Sequence, residues 1–103
     1  MGLSINIDRK ESELVIHLKG ILDISTSYML DEHLKEIVSP ETVIIDFKNL
    51  EFIDSTGIGS IINAAHISIE KHFTLILQGM NEFTDEVFEE IGVYQIIKAL
   101  QKI

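Results

Sequence analysis

The stretch Thr42-Val43-Ile44-Ile45-Asp46-Phe47-Lys48-Asn49-Leu50-Glu51-Phe52-Ile53-Asp54-Ser55-Thr56-Gly57-Ile58-Gly59-Ser60 decides how the chain folds. Its first part holds a short continuous apolar run, Val43-Ile44-Ile45. Such a run suits a central strand covered on both faces. Its second part reads as the start of a helix. Asp54, Ser55 and Thr56 are all capping types, so the first helical residue can fall at any of them. Ile58, Ile61, Ile62, Ala65 and Ile69 then recur at helical spacing and form the expected core face, while Ser60, Asn63 and Ile67 are expected to point away. A strand leading into a helix is half of a parallel β-α-β unit.

Upstream, residues 4–8 and 13–19 read as strands joined by the polar turn Arg9-Lys10-Glu11-Ser12. Leu14, Ile16 and Leu18 alternate with Glu13, Val15, His17 and Lys19, a period of two, and Gly20 is expected to end the run. Residues 26–38 turn helical, with Leu30, Leu34, Ile37 and Val38 on one stripe. Pro40 marks a connection. Downstream come a strand at 74–77 and helices at 82–91 and 93–100, separated by Gly92. The order β-β-α-β-α-β-α-α predicts an α/β fold. Its expected form is a four-stranded, mostly parallel sheet with an N-terminal antiparallel edge hairpin and about four helices.

A length of 103 residues suits one domain over 1–103, and an apolar content of 46% is enough for a core. There are no cysteines, which excludes disulfides and thiolate metal sites. His17, His33, His66 and His72 show no metal-ligand spacing, and no cofactor is implied. No apolar run approaches the roughly 20 residues that span a bilayer. The start, Met1-Gly2-Leu3-Ser4-Ile5-Asn6, lacks signal-peptide features, and Asn6 stands where myristoylation needs Ser or Thr. A soluble, cytoplasmic protein is expected. A formal net charge of −9 disfavours nucleic acid and anionic lipid as partners. It suits a partner with a basic surface, or serves solubility alone.

The chemistry is concentrated between Asn49 and Ser60. Hydroxyls at a helix N-terminus lie beside free backbone N–H groups, which favour anions. Gly57 and Gly59 remove side chains around the Ser55 hydroxyl, so another protein's active site can come close. An ordinary helix cap followed by small residues accounts for the same letters. A dinucleotide fingerprint is excluded, because Ile62 occupies the place of its third glycine.

Phe52-Ile53-Asp54-Ser55-Thr56-Gly57-Ile58-Gly59 closely resembles the phosphorylation motif of the anti-sigma factor antagonists, which are STAS domain proteins. Three further matches follow in register: Gly20-Ile21-Leu22-Asp23, Val43-Ile44-Ile45-Asp46-Phe47, and the segment from Val87 through Gly92 to Ile97. The resemblance covers essentially the whole chain. It implies a monomeric partner switch with phosphorylation at Ser55, Thr56 being the competing acceptor. The implied kinase is the anti-sigma factor itself, which the unphosphorylated antagonist binds so that the sigma factor is freed. A phosphatase reverses the modification. Asp23, in the loop after the second strand, is implied to help meet the kinase, together with Asp54, Ser55, Thr56, Gly57, Gly59 and Ser60. Asp23 reads equally well as a cap of the helix that follows it. The resemblance departs at Glu70-Lys71-His72-Phe73, where many relatives carry a longer, glycine-rich turn.

An enzyme with a Ser55 nucleophile needs a base and an oxyanion hole. No His or Lys is placed by motif to act as that base. The Gly-x-Ser-x-Gly elbow is also missing, since Ile53 stands where its first glycine would be. A non-catalytic switch is therefore expected. A STAS scaffold module, or a phospho-switch on another partner, are the other readings.

Overall fold

The computed structural model describes residues 2–38 and 40–101. Eight elements follow one another: β1 (Leu3–Lys10), β2 (Glu13–Leu22), α1 (Ser27–Lys35), β3 (Thr42–Ile53), α2 (Ser55–Lys71), β4 (Thr74–Gln78), α3 (Glu82–Ile91) and α4 (Val93–Gln101). The four strands lie in the order β1-β2-β3-β4. β1 and β2 form an antiparallel hairpin, and β2-β3 and β3-β4 are parallel. The element order and the edge hairpin are those expected from the sequence.

Strand alternation sends Leu14, Ile16 and Leu18 of β2, Val43, Ile45 and Phe47 of β3, and Leu75 of β4 into one buried cluster. Leu30 and Leu34 of α1, Ile58, Ile61, Ala64 and Ala65 of α2, Phe88 of α3 and Val93 of α4 complete that cluster. The expectation that Val43-Ile44-Ile45 is covered on both faces fails. Ile44 is only half-buried, in a row with Val15 and Ile76, and Ile76 is exposed. The helices fill one side of the sheet, so β3 buries alternate residues instead of a continuous run.

Several boundaries shift for identifiable reasons. β2 does not end at Gly20, and β3 runs well past its apolar run, to Ile53. The β2-β3 ladder continues to Leu22 and Ile53 through register shifts between His17/Lys19 and Gly20/Ile21. Gly20 adopts φ +102, a left-handed conformation that lets the strand pass the bulge instead of stopping. α1 is shorter than expected and ends at Lys35. Ile37 is still buried, but Val38 is 68% exposed, outside the stripe it was assigned to. The Lys71 ammonium closes that helix end by donating to the carbonyls of Lys35 and Ile37 at 2.6 and 3.0 Å.

On α2 the buried arc is wider than the stripe read from the sequence. Ile58, Ile61 and Ala65 are buried, Ile62 and Ile69 are half-buried, and Asn63 is exposed. Ser60 is buried, and Ile67 is half-buried against the core, so neither points outward. The reason is topological: α2 is flanked by α1 and α4 as well as resting on the sheet.

α2 ends within Glu70-Lys71-His72-Phe73, the segment where the sequence departs from the resemblance. His72 takes the left-handed conformation (φ 61, ψ 49) that glycine usually supplies there. Its N–H donates to the Ile69 carbonyl at 3.4 Å, and the Phe73 N–H to that of Ser68 at 3.0 Å. A non-glycine residue is strained in that region by about 1–2 kcal/mol, while glycine loses more chain entropy on folding. His72→Gly is therefore expected to stabilise the fold by up to about 1 kcal/mol, read as a raised midpoint in urea unfolding.

Gly57 joins α2 to β2 with no spare room. A Cβ there would lie 2.4 Å from the Leu22 carbonyl oxygen and 2.8 Å from Ile53 Cγ1. Gly57→Ala is expected to cost about 1–3 kcal/mol, a loss visible in the same unfolding experiment.

Candidate functional site

The end of β3 and the start of α2 meet at Asp54. Its backbone is extended (φ −107, ψ −175), so the chain turns from strand to helix at this one residue. The Asp54 N–H still donates to the Leu22 carbonyl at 3.2 Å, extending the ladder by one step. Its carbonyl already accepts the first helical bond, from the Ile58 N–H at 2.9 Å. Asp54 is therefore the N-cap, and Ser55 is the first helical residue.

The two carboxylate oxygens of Asp54 do different jobs. Oδ1 accepts the Gly57 N–H at 2.9 Å and caps the helix. Oδ2 accepts the Ile24 N–H at 3.1 Å, from the loop between β2 and α1. One side chain thus fixes the loop to the helix start, 30 residues apart in sequence.

That loop is itself preorganised. Asp23 Oδ1 accepts the backbone N–H and the hydroxyl of Ser25 at 2.9 and 2.7 Å. The Thr26 hydroxyl donates to the Ile21 carbonyl at 2.8 Å and accepts the Asp23 N–H at 2.9 Å. The Ser25 hydroxyl bond, with backbone and Thr26 bonds behind it, holds the Asp23 carboxyl below the usual carboxylate range against a smaller opposing effect of desolvation. Asp23 does not cap α1 directly. The N-cap is Thr26, and Asp23 instead closes the turn ahead of it, its carbonyl accepting the Ser27 N–H at 2.8 Å.

The sequence-derived candidates separate into an exposed and a buried set. Ser55, Thr56 and Gly59 are exposed; Asp23 and Asp54 are half-buried; Gly57 and Ser60 are buried. The loop that carries Asp23 is tied to Asp54, the residue before Ser55, through the Ile24 N–H. Gly57 is occupied with packing against Leu22, so it does not clear space for a visitor. Ser60 is 4% exposed and offers no surface. Gly59 is the opposite case, since a Cβ there would meet nothing within 4 Å. An exposed glycine inside a helix costs roughly 0.5–1 kcal/mol relative to alanine. Nothing in the packing of this chain requires it.

The hydrogen bonds at this end go to Asp23, Thr26 and Asp54. Among the described residues none engages the hydroxyl of Ser55 or Thr56. The Gly57 N–H is already taken by Asp54, so an anion at Ser55 would find only the N–H groups of Ser55 and Thr56. The sequence reading missed two neighbours, Ile24 and Phe52, which are 76% and 50% exposed. Their exposure is not visible in an apolar letter; the polar partner of Ile24, through its backbone, is Asp54.

Among the described residues no group of His, Asp or Glu forms a metal cluster. His17 pairs instead with Asp46 on the open sheet face, Nδ1 to Oδ2 at 2.8 Å. No helix among the described residues is long and apolar enough to cross a membrane.

Comparison with known proteins bears on the family and the fold. A family model described as the STAS domain matches residues 4–103. An anti-sigma F factor antagonist from Paenibacillus polymyxa is 26% identical over 100 residues, covering 94% of this chain and 86% of that protein. The unphosphorylated form of the anti-sigma factor antagonist SpoIIAA superposes with a TM-score of 0.71 at 21% identity, over 84% of this chain and 82% of that one. The phosphorylated form of the Bacillus protein gives 0.72 at 21% identity, over 89% and 86%. The structural likeness concerns the fold. With the domain match running from β1 to the C-terminus, the chain belongs to the STAS domain family.

Proposed function

We propose that this chain is an anti-sigma factor antagonist whose affinity for its partner is switched by phosphorylation of Ser55. The observation that carries this reading is the exposed Ser55 hydroxyl at the first position of α2, next to the bare surface of Gly59. The naming of the Paenibacillus relative and the phosphorylated state of SpoIIAA support it.

In this reading the partner is an anti-sigma factor with serine kinase activity. It binds the unmodified antagonist and lets its sigma factor go. The Ser55 Oγ attacks the γ-phosphorus of ATP, ADP leaves, and the hydroxyl proton passes to a base on the kinase. ATP as the donor implies a cytoplasmic setting. This chain acts as one domain and supplies only the acceptor, so it is not itself an enzyme. A separate phosphatase resets Ser55.

Phosphate brings about −1.5 to −2 charge onto a chain whose formal net charge is already −9. Asp54 stands beside it and already uses the nearest cap donor, so the new group gains little inside this chain. Inside an interface that had accepted a neutral hydroxyl it meets desolvation and repulsion. About 2.7 kcal/mol of such cost is a hundredfold loss of affinity. The folded state carries almost none of it.

Ser55→Ala is expected to bind the anti-sigma kinase as the wild type does and to take up no phosphate. Ser55→Asp is expected to bind about tenfold or more weakly, a loss of about 1.4 kcal/mol or more. Isothermal titration and mass spectrometry after exposure to kinase and ATP read both. Label on Thr56 in the Ser55→Ala protein would move the site. A kinase partner that holds no sigma factor would move the client.

Gly59→Ala offers a separate check. It is expected to stabilise the chain by up to about 1 kcal/mol while weakening partner binding. Unchanged binding would remove Gly59 from the interface.

A further inference from the structure

We infer that the partner is held by two apolar anchors, Ile24 and Phe52, displayed at the same end of the sheet as Ser55, and that the Asp54 carboxylate sets the position of one of them. The inference rests on the proposed function and names the surface through which it works. Most exposed apolar side chains in a folded domain need no explanation. These two differ by location. Phe52 stands three residues before Ser55, and the backbone of Ile24 is bonded to Asp54, the residue before Ser55.

The backbone explains why both are displayed. Ile53 is buried in the core, so the strand pleat turns its neighbour Phe52 to the other side of the sheet, the side without helices. The register shift between Gly20 and Ile21 falls just before this pair and sets Phe52 opposite Ile21. Ile24 sits in the turn that Asp23, Ser25 and Thr26 lock, and its N–H is tied to Asp54 Oδ2 at 3.1 Å. A 76% exposed isoleucine on a hydrogen-bonded turn is presented in a fixed place, so little ordering cost remains on docking.

The charges around these anchors describe the partner. Asp23, Glu51 and Asp54 lie on the same end of the sheet, and Glu51 is exposed. Both oxygens of Asp54 are engaged within the chain, which leaves Asp23 and Glu51 to face a visitor. The occupant is therefore a serine kinase with apolar sockets beside its acceptor-hydroxyl pocket and a basic rim around them. Buried apolar anchors inside a polar rim are the usual source of binding energy in such interfaces.

The test uses the intact chain and the purified anti-sigma factor serine kinase of the same source organism. Ile24→Ala and Phe52→Ala are each expected to raise the Kd by tenfold or more. Both residues are exposed, and unchanged urea midpoints would verify that the fold is kept. In the phosphorylation assay the loss should fall on KM with kcat retained, because docking is removed and the Ser55 geometry is not. Ile24→Leu should restore binding. Val38→Ala, at an exposed apolar residue in the α1-β3 connection at the other end of the sheet, should bind as the wild type does. Wild-type binding matched by both alanine variants overturns the anchors and leaves the proposed function standing. A fall in kcat alone overturns the docking role. Absence of wild-type binding to the kinase overturns the proposed function and this inference with it.

Discussion

Asp54 accepts one hydrogen bond from its own helix and one from a loop 30 residues away, and the candidate site is assembled around those two bonds. Bonds to an ionised group contribute about 1.5–3 kcal/mol each, more than a neutral pair. The residue also sits at the turn from β3 into α2, where its N–H prolongs the ladder to Leu22. Strand, helix and loop therefore share one joint. Gly57 makes that joint possible, because any side chain there would strike the Leu22 carbonyl, the same oxygen that receives the Asp54 N–H. The aspartate and the first glycine of the motif are explained by architecture before any partner is considered.

What architecture leaves unexplained is informative. Ser55 is not needed as a cap, since Asp54 does that work. Gly59 packs against nothing and weakens its helix. Ile24 is exposed on a turn whose polar network would hold equally well with a polar side chain at that position. Each of these residues makes more sense with a second protein present than without one. The motif is thus a composite in which structural and surface residues alternate along α2, buried Gly57 beside exposed Thr56 and exposed Gly59 beside buried Ser60.

The sequence carried the order of elements because each period was unambiguous, with two-residue alternation in β2, a β-branched run in β3 and helical spacing in α2. It narrowed the helix start to Asp54, Ser55 or Thr56, all capping types, among which only the fold selects Asp54 as the N-cap. It misled where the outcome depended on neighbours not visible along the chain. Val43-Ile44-Ile45 reads as doubly covered, yet only one side of the sheet has helices. Ile44 shelters beside Val15 and Ile76, and their pairing is a matter of register. Ser60 and Ile67 read as outward on an isolated wheel and lie inward because α1 and α4 flank α2. The split of the two glycines was illegible for the same reason: only the fold places Leu22 against one and solvent against the other. His72 adopts the left-handed conformation that glycine favours, which no side-chain pattern announces.

Placing the proposed switch on such a joint would have a physical consequence. The core cluster and the β2-β3 ladder lie beneath Ser55, while among the described residues none bonds its hydroxyl. A domain of this size is stable by roughly 5–15 kcal/mol in total. A switch that worked by refolding would have to spend a large part of that margin at each cycle. A charge added at an exposed helix start leaves the margin almost untouched and concentrates its effect where water has been excluded. The same charge is screened within about 8–10 Å when the surface is wet. The proposed modification of Ser55 would therefore be nearly silent in the free protein and strong in a complex. That asymmetry is what a partner switch requires, and it follows from holding Ser55 outside the hydrogen-bond network that Asp54 organises.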